Sequence, residues 1–115
     1  MKDTTDLLKE VDLNLMTFGE DWPEQMSAFG NLMSGTKTAG ALDGKTKALI
    51  ALAVSITAHC EWCIAVYARN ALAEGATREE IFEASWVAVL MGGGPALMFM
   101  QVVQKALEDL ENLSA

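Results

Sequence analysis

Apolar residues recur at helical spacing from one end of the chain to the other, and no segment alternates strictly enough to make a strand. Between Asp6 and Phe18, the residues Leu7, Val11, Leu15 and Phe18 fall at i, i+4, i+8 and i+11, one stripe of an amphipathic helix. Trp22-Pro23 opens a second helix to about Met33, because proline is tolerated in a first turn. Ser34 to Ala41, with Gly35 and Gly40, reads as a loop. Asp43 is the N-cap of an apolar helix from Lys45 to about Ala58 that looks buried on most sides. The next helix starts at or near Cys60 and stops at Gly75, a residue suited to a left-handed helix end. Thr77 with Glu80 spells a capping box for a fifth helix through Ile81, Phe82, Ser85, Trp86, Val89 and Leu90. Gly92-Gly93-Gly94 breaks it as a close-packed turn, and Pro95 begins a last helix to about Leu113. The expectation is an all-α fold of five to six helices in a single domain over residues 1–115, with no linker and no internal repeat.

A chain of 115 residues that is 51% hydrophobic, with seven Met and three Trp, carries more apolar surface than it can hide. Domains of this size bury only about 60–68% of their unfolded surface, so the surplus predicts burial against other copies in a homo-oligomer. No stretch reaches about 18 uninterrupted apolar residues, which argues against a membrane span. A net charge of −8 argues against nucleic acid and reads simply as solubility. Met1 to Glu10 is polar and acidic, without the apolar segment of a signal peptide, so a cytoplasmic location is the default.

Cys60-Glu61-Trp62-Cys63 holds the only two cysteines. A pair at this spacing can close a small disulfide, hold half of a metal site, or act as a reactive dithiol. With no other cysteine, one chain cannot supply a four-thiolate zinc site, and no metal or cofactor is expected. A disulfide closing so short a loop constrains the unfolded chain little, which favours redox chemistry. In the first turn of a helix both sulfurs meet unpaired N–H groups and the positive dipole end, which favour a thiolate. One cysteine attacks and the other, three residues on, closes the disulfide. Tyr67 lies one turn below Cys63; it either reaches the sulfur with its phenol or is an amphipathic core residue. His59, the only histidine, either tunes the dithiol or meets the carbonyls ending the preceding helix. Trp62 points off the cysteine face.

The segments Leu42-Asp43-Gly44-Lys45-Thr46-Lys47 through Ala51-Leu52-Ala53-Val54-Ser55, Cys60-Glu61-Trp62-Cys63, Ala71-Leu72-Ala73-Glu74-Gly75-Ala76-Thr77, Glu80-Ile81 and Gly92-Gly93-Gly94-Pro95 resemble the carboxymuconolactone decarboxylase family, and within it the alkylhydroperoxidase D-like branch that carries CxxC. The resemblance covers about residues 40–110. It implies an all-helical fold assembled as a trimer or hexamer, and thiol peroxidase or disulfide-reductase chemistry. It also implies that Cys63 is the sulfur oxidised to sulfenic acid, with Cys60 donating a proton and resolving. The branch usually has a glutamate twelve residues before the first cysteine and a histidine four residues after the second. Here those positions are Ala48 and Tyr67, so the proton relay is missing in its usual form; either His59 or Tyr67 substitutes, or efficient peroxidase turnover has been lost.

The function expected is therefore a thiol-dependent peroxidase or disulfide oxidoreductase of antioxidant type, acting on a peroxide or disulfide and recycled by an external thiol reductant. The alternatives are a carboxymuconolactone decarboxylase-type lyase, whose ring chemistry needs no cysteine pair, and a non-catalytic oligomeric redox sensor. A further one is a metal site shared between subunits through Cys60, Cys63 and His59.

Overall fold

In the computed structural model, which describes residues 2–114, the chain forms α1 (Thr4–Asp21), α2 (Pro23–Lys37), α3 (Gly44–Thr57), α4 (Glu61–Ala73), α5 (Arg78–Gly92) and α6 (Gly94–Ser114). No strand occurs among the described residues. Helices α3 to α6 make the core: α3 packs on α4 and α5, and α6 closes the bundle against α4 and α5. Leu52, Ile56, Ile64, Ile81, Val103 and Leu107 are fully buried there. Ser55 and Ser85 are the polar residues of this interior, and each donates its hydroxyl to the carbonyl four residues back, that of Ala51 at 2.7 Å and that of Ile81 at 2.8 Å. Neither buried hydroxyl is therefore left unpaired.

The caps explain why the helices start where they do. Asp43 accepts the Thr46 N–H at 2.8 Å. Thr77 and Glu80 form the reciprocal capping box, at 3.1 and 2.9 Å. Glu80 also pairs with Lys45 at 2.9 Å, which ties the start of α5 to the start of α3. At the α5–α6 turn a Cβ on Gly92 would stand 2.9 Å from that of Ala96, and Gly93 adopts φ +70°, ψ −152°. The first position needs the missing side chain, and the second is a conformation essentially limited to glycine.

Three expectations about the elements need correction. Residues 34–37 are helical rather than loop, because the end of α2 is satisfied from outside its own sequence: the Thr38 N–H and hydroxyl both donate to Ser34 O, and Lys47 Nζ donates to the carbonyls of Thr36 and Thr38 at 2.8 and 2.7 Å. The stripe of α1 is buried only at its start, where Leu7 and the neighbouring Leu8 pack with Ala65. Leu15 and Phe18 remain 43% and 48% exposed because the second half of α1 runs out beside α2 instead of over the core. Helix α3 is also less enclosed than its composition suggests, with Ile50 and Val54 exposed.

Helix α1 begins at Thr4, two residues earlier than the apolar stripe indicates. Asp3 caps it through the Thr5 N–H, and Asp109 of α6 accepts the buried Thr4 N–H at 2.9 Å while pairing with Lys105 at 3.0 Å. Burial raises the Asp109 carboxyl, but the Thr4 and Lys105 hydrogen bonds outweigh it and hold the group below its ordinary value. A carboxyl whose folded-state value is depressed stabilises the fold above its unfolded value, and that contribution is lost as pH falls through the folded one. Asp109→Ala is accordingly expected to cost about 1–3 kcal/mol, the range for orphaning a buried donor. Urea unfolding at neutral pH measures this, and the difference from the native chain should shrink on acidification through the carboxylate range.

Candidate redox site

Cys60 and Cys63 are joined as a disulfide with Cα atoms 5.2 Å apart, inside the usual span for such bonds. Their placement follows from how α3 ends. The His59 N–H donates to Ile56 O and the Cys60 N–H to Ser55 O, both at 3.1 Å, the paired reverse bonds of a Schellman motif. Helix α4 ends the same way, with Gly75 N–H to Leu72 O at 3.0 Å and Ala76 N–H to Ala71 O at 2.9 Å. At the motif's left-handed position α4 uses Gly75 (φ +87°), whereas α3 uses His59 (φ +56°). A side chain there costs about 1–2 kcal/mol that glycine avoids. The imidazole is held by stacking on Phe99 of α6, with ring centroids 4.7 Å apart and planes within 6°.

The same turn starts α4. Cys60 is its N-cap, and its sulfur accepts the N–H of Cys63 at 3.2 Å. Cys60 is thus the last residue of one helix-ending motif and the first of the next helix, so the dithiol sits between two rigid helices rather than in a loop. Trp62 points away from the sulfurs, as expected, and its Nε1 donates to Glu10 of α1 at 3.0 Å. The hydrogen bonds from Lys2 and then Trp62 hold the Glu10 carboxyl below its ordinary value. This tether from α1 to the first turn of α4 joins residues 52 positions apart and left no local signal in the sequence.

The structure joins the two cysteines, but the other two candidates have different neighbours. Among the described residues no hydrogen bond links the His59 or Tyr67 side chain to either sulfur, nor the imidazole to the carbonyls of α3. It is the backbone N–H of His59 that meets a carbonyl, that of Ile56, so the expected role of the ring at the helix end is corrected to a stack on Phe99. Tyr67 packs against the core and also lines a cavity of about 370 Å³ between α2, α3 and α4, together with Ala48. The two positions where the branch usually carries its relay therefore face one space. Among the described residues no three His, Cys, Asp or Glu side chains are gathered as a metal site, and no helix is long and apolar enough to cross a membrane.

Residues 23–105 match the carboxymuconolactone decarboxylase family. An uncharacterised protein of Cupriavidus necator is 35% identical, over 97% of this chain and 99% of its own length. The fold superposes on the crystal structure of an apo carboxymuconolactone decarboxylase family protein from Legionella pneumophila with a TM-score of 0.87, at 38% identity and 97% coverage of each chain. It also superposes on a family protein of Thermotoga maritima, for which a part in the antioxidative response has been suggested, with a TM-score of 0.73 at 34% identity. That match covers 78% of this chain and 93% of the other. With a disulfide-forming CxxC at the start of α4 and this helical fold, the chain belongs to the carboxymuconolactone decarboxylase family.

Proposed function

We propose that the protein is a thiol-dependent peroxidase or disulfide oxidoreductase whose working group is the Cys60–Cys63 pair. The observation that carries this reading is the bonded pair itself, set at a helix N-terminus by two consecutive capping motifs. The antioxidative role suggested for the Thermotoga relative supports it. In the reduced protein the Cys63 thiolate attacks one oxygen of a hydroperoxide. An S–O bond forms, the O–O bond breaks, and the alcohol leaves with a proton, giving a sulfenic acid. The Cys60 thiol then attacks that sulfur, a disulfide forms and water leaves. The dithiol has lost two electrons and the peroxide has gained them. An external dithiol reopens the bond by exchange and is itself oxidised to a disulfide.

A second assignment of roles rests on one contact. The Cys63 N–H points at the Cys60 sulfur, a placement that stabilises negative charge on Cys60. With the roles exchanged the electron balance is the same, and Cys60 makes the first attack. Steady-state consumption of cumene hydroperoxide with dithiothreitol as reductant tests the activity. Turnover above the rate of dithiothreitol alone supports the proposal, and a rate equal to that background contradicts it.

The assembly is part of this proposal. Trp22, Phe29 and Leu32 on the α1–α2 arm, and Trp86, Leu90 and Met91 on α5, are all more than half exposed in the single chain, Leu90 at 80%. Patches of that kind on a small domain mark interfaces, and a homo-oligomer, a trimer or hexamer as the family resemblance implies, would cover them. Light scattering at micromolar concentration should return a multiple of 12.4 kDa. A monomer would contradict it.

A further inference from the structure

The cavity between α2, α3 and α4 holds about 370 Å³ and contains neither cysteine among its lining residues. That volume is at the lower end of the range for small-molecule sites. Its wall is largely apolar, built from Leu32, Met33, Ala48, Ala51 and Ala73. Two of the charges at its edge are taken by helix ends. Lys47 Nζ donates to the carbonyls of Thr36 and Thr38 at the end of α2. The Glu74 carboxylate sits over Gly44, the first residue of α3, where its oxygen lies 2.8 Å from the point a Cβ would occupy, a favourable place for negative charge. Four polar side chains remain, of which Thr36 and Lys37 lie on the exposed end of α2 and Tyr67 and Asn70 on α4. The Tyr67 hydroxyl has no hydrogen-bond partner among the described residues. The Asn70 amide oxygen accepts from Arg69 Nε at 3.4 Å, which leaves its NH₂ to donate.

Tyr67 and Asn70, both partly buried, can each donate a hydrogen bond to an acceptor held in this apolar space. We infer that this cavity binds a small neutral molecule, mostly hydrocarbon, with one carbonyl oxygen that takes hydrogen bonds from Tyr67 and Asn70. A carboxylate gains no net attraction, because Lys47 is engaged by two carbonyls and the exposed Lys37 is offset by the exposed Glu74 on the same wall. Binding needs no redox change, since neither cysteine lines the cavity and Tyr67, one helical turn from Cys63, makes no hydrogen bond to either sulfur.

Isothermal titration of the oxidised protein with 1-indanone, indane and indane-1-carboxylate tests the inference. 1-Indanone should saturate one site per chain and bind roughly fivefold or more tighter than indane, the scale of a made hydrogen bond. Tyr67→Phe should bring 1-indanone close to the affinity of indane while leaving the affinity of indane itself unchanged. Ala73→Leu, at an exposed helical position on the cavity wall, should weaken both and keeps the test open if the Tyr67 variant does not fold. Equal binding of ketone and hydrocarbon, tighter binding of the carboxylate, or no binding would each overturn the inference. Binding seen only in dissociated protomers would also overturn it, since a second copy would then fill the space. The Cys60→Ser/Cys63→Ser double variant should still bind 1-indanone. A failed redox reading with ketone binding intact leaves this site standing, whereas a cycling disulfide without ketone binding removes this site alone.

Discussion

Cys63→Ser is expected to lower peroxide consumption by roughly a thousandfold or more, the scale of removing a covalent nucleophile, while Cys60→Ser leaves a sulfenic acid on Cys63 that dimedone traps. The two variants read the chemistry separately because each removes one half of it. Without Cys60 the S–O bond still forms but cannot be displaced internally, so the oxidised sulfur persists and can be counted by mass. Without Cys63 the remaining thiol keeps neither the attacking sulfur nor the bond to be closed. The structure makes the comparison clean: both residues are partly exposed at the start of α4, and serine is itself a good N-cap at position 60, so neither change should disturb the fold. If the trapped sulfenic acid instead appears at Cys60 in the Cys63→Ser protein, the contact from the Cys63 N–H to the Cys60 sulfur decides the roles, and the assignment implied by the family is reversed.

The second large effect concerns activation of the thiol. The N-terminus of α4 stabilises a thiolate by about 0.3–1 kcal/mol, up to about 2 in a partly buried setting. An ordinary thiol helped only that much is incompletely ionised at neutral pH, so wild-type turnover should be slow and should rise as pH increases above 7. A relay rebuilt at positions 48 and 67 would sit in a cavity that neither cysteine lines, so its imidazole would have to reach Cys63 from one helical turn away. Ala48 and Tyr67 line the same cavity, so Ala48→Glu has room for its carboxyl and Tyr67→His points an imidazole into the same space. The double variant is expected to raise turnover at pH 7 by about a hundredfold, the lower end of what a placed acid–base group contributes, and to flatten the pH dependence. Ala48→Glu alone should instead cost about 1–3 kcal/mol of stability, because position 48 is 8% exposed and the carboxyl lacks its partner. A fast wild-type enzyme with activity independent of pH down to 6 would mean that another residue activates Cys63.

Much of the fold was legible because its signals are local. Asp43, Gly75 and the Thr77–Glu80 box act within a turn of the residues they cap, and the sequence spacing is enough to find them. The cysteine pair is of the same kind, since three residues on one helical start bring the sulfurs together. What stayed hidden depends on residues distant along the chain. The end of α2 is set by Lys47, the start of α1 by Asp109, and the side chain of His59 by Phe99, forty positions on. Periodicity finds an apolar stripe but does not say what it faces, which is why Leu15 and Phe18 read as core and emerge exposed on the arm. The relay positions were readable from the family resemblance, but their common cavity is a product of three helices packing and has no signature in any one of them.

Reversible closure of the Cys60–Cys63 bond is the centre of this account, and intact-protein mass spectrometry tests it directly. Protein reduced with dithiothreitol, freed of reductant and treated with one equivalent of hydroperoxide should lose two hydrogens per chain without alkylatable thiols remaining. Renewed dithiothreitol should restore the original mass. Thiols that stay free after peroxide, or a mass gain of stable oxygen in place of the two-hydrogen loss, would contradict the account.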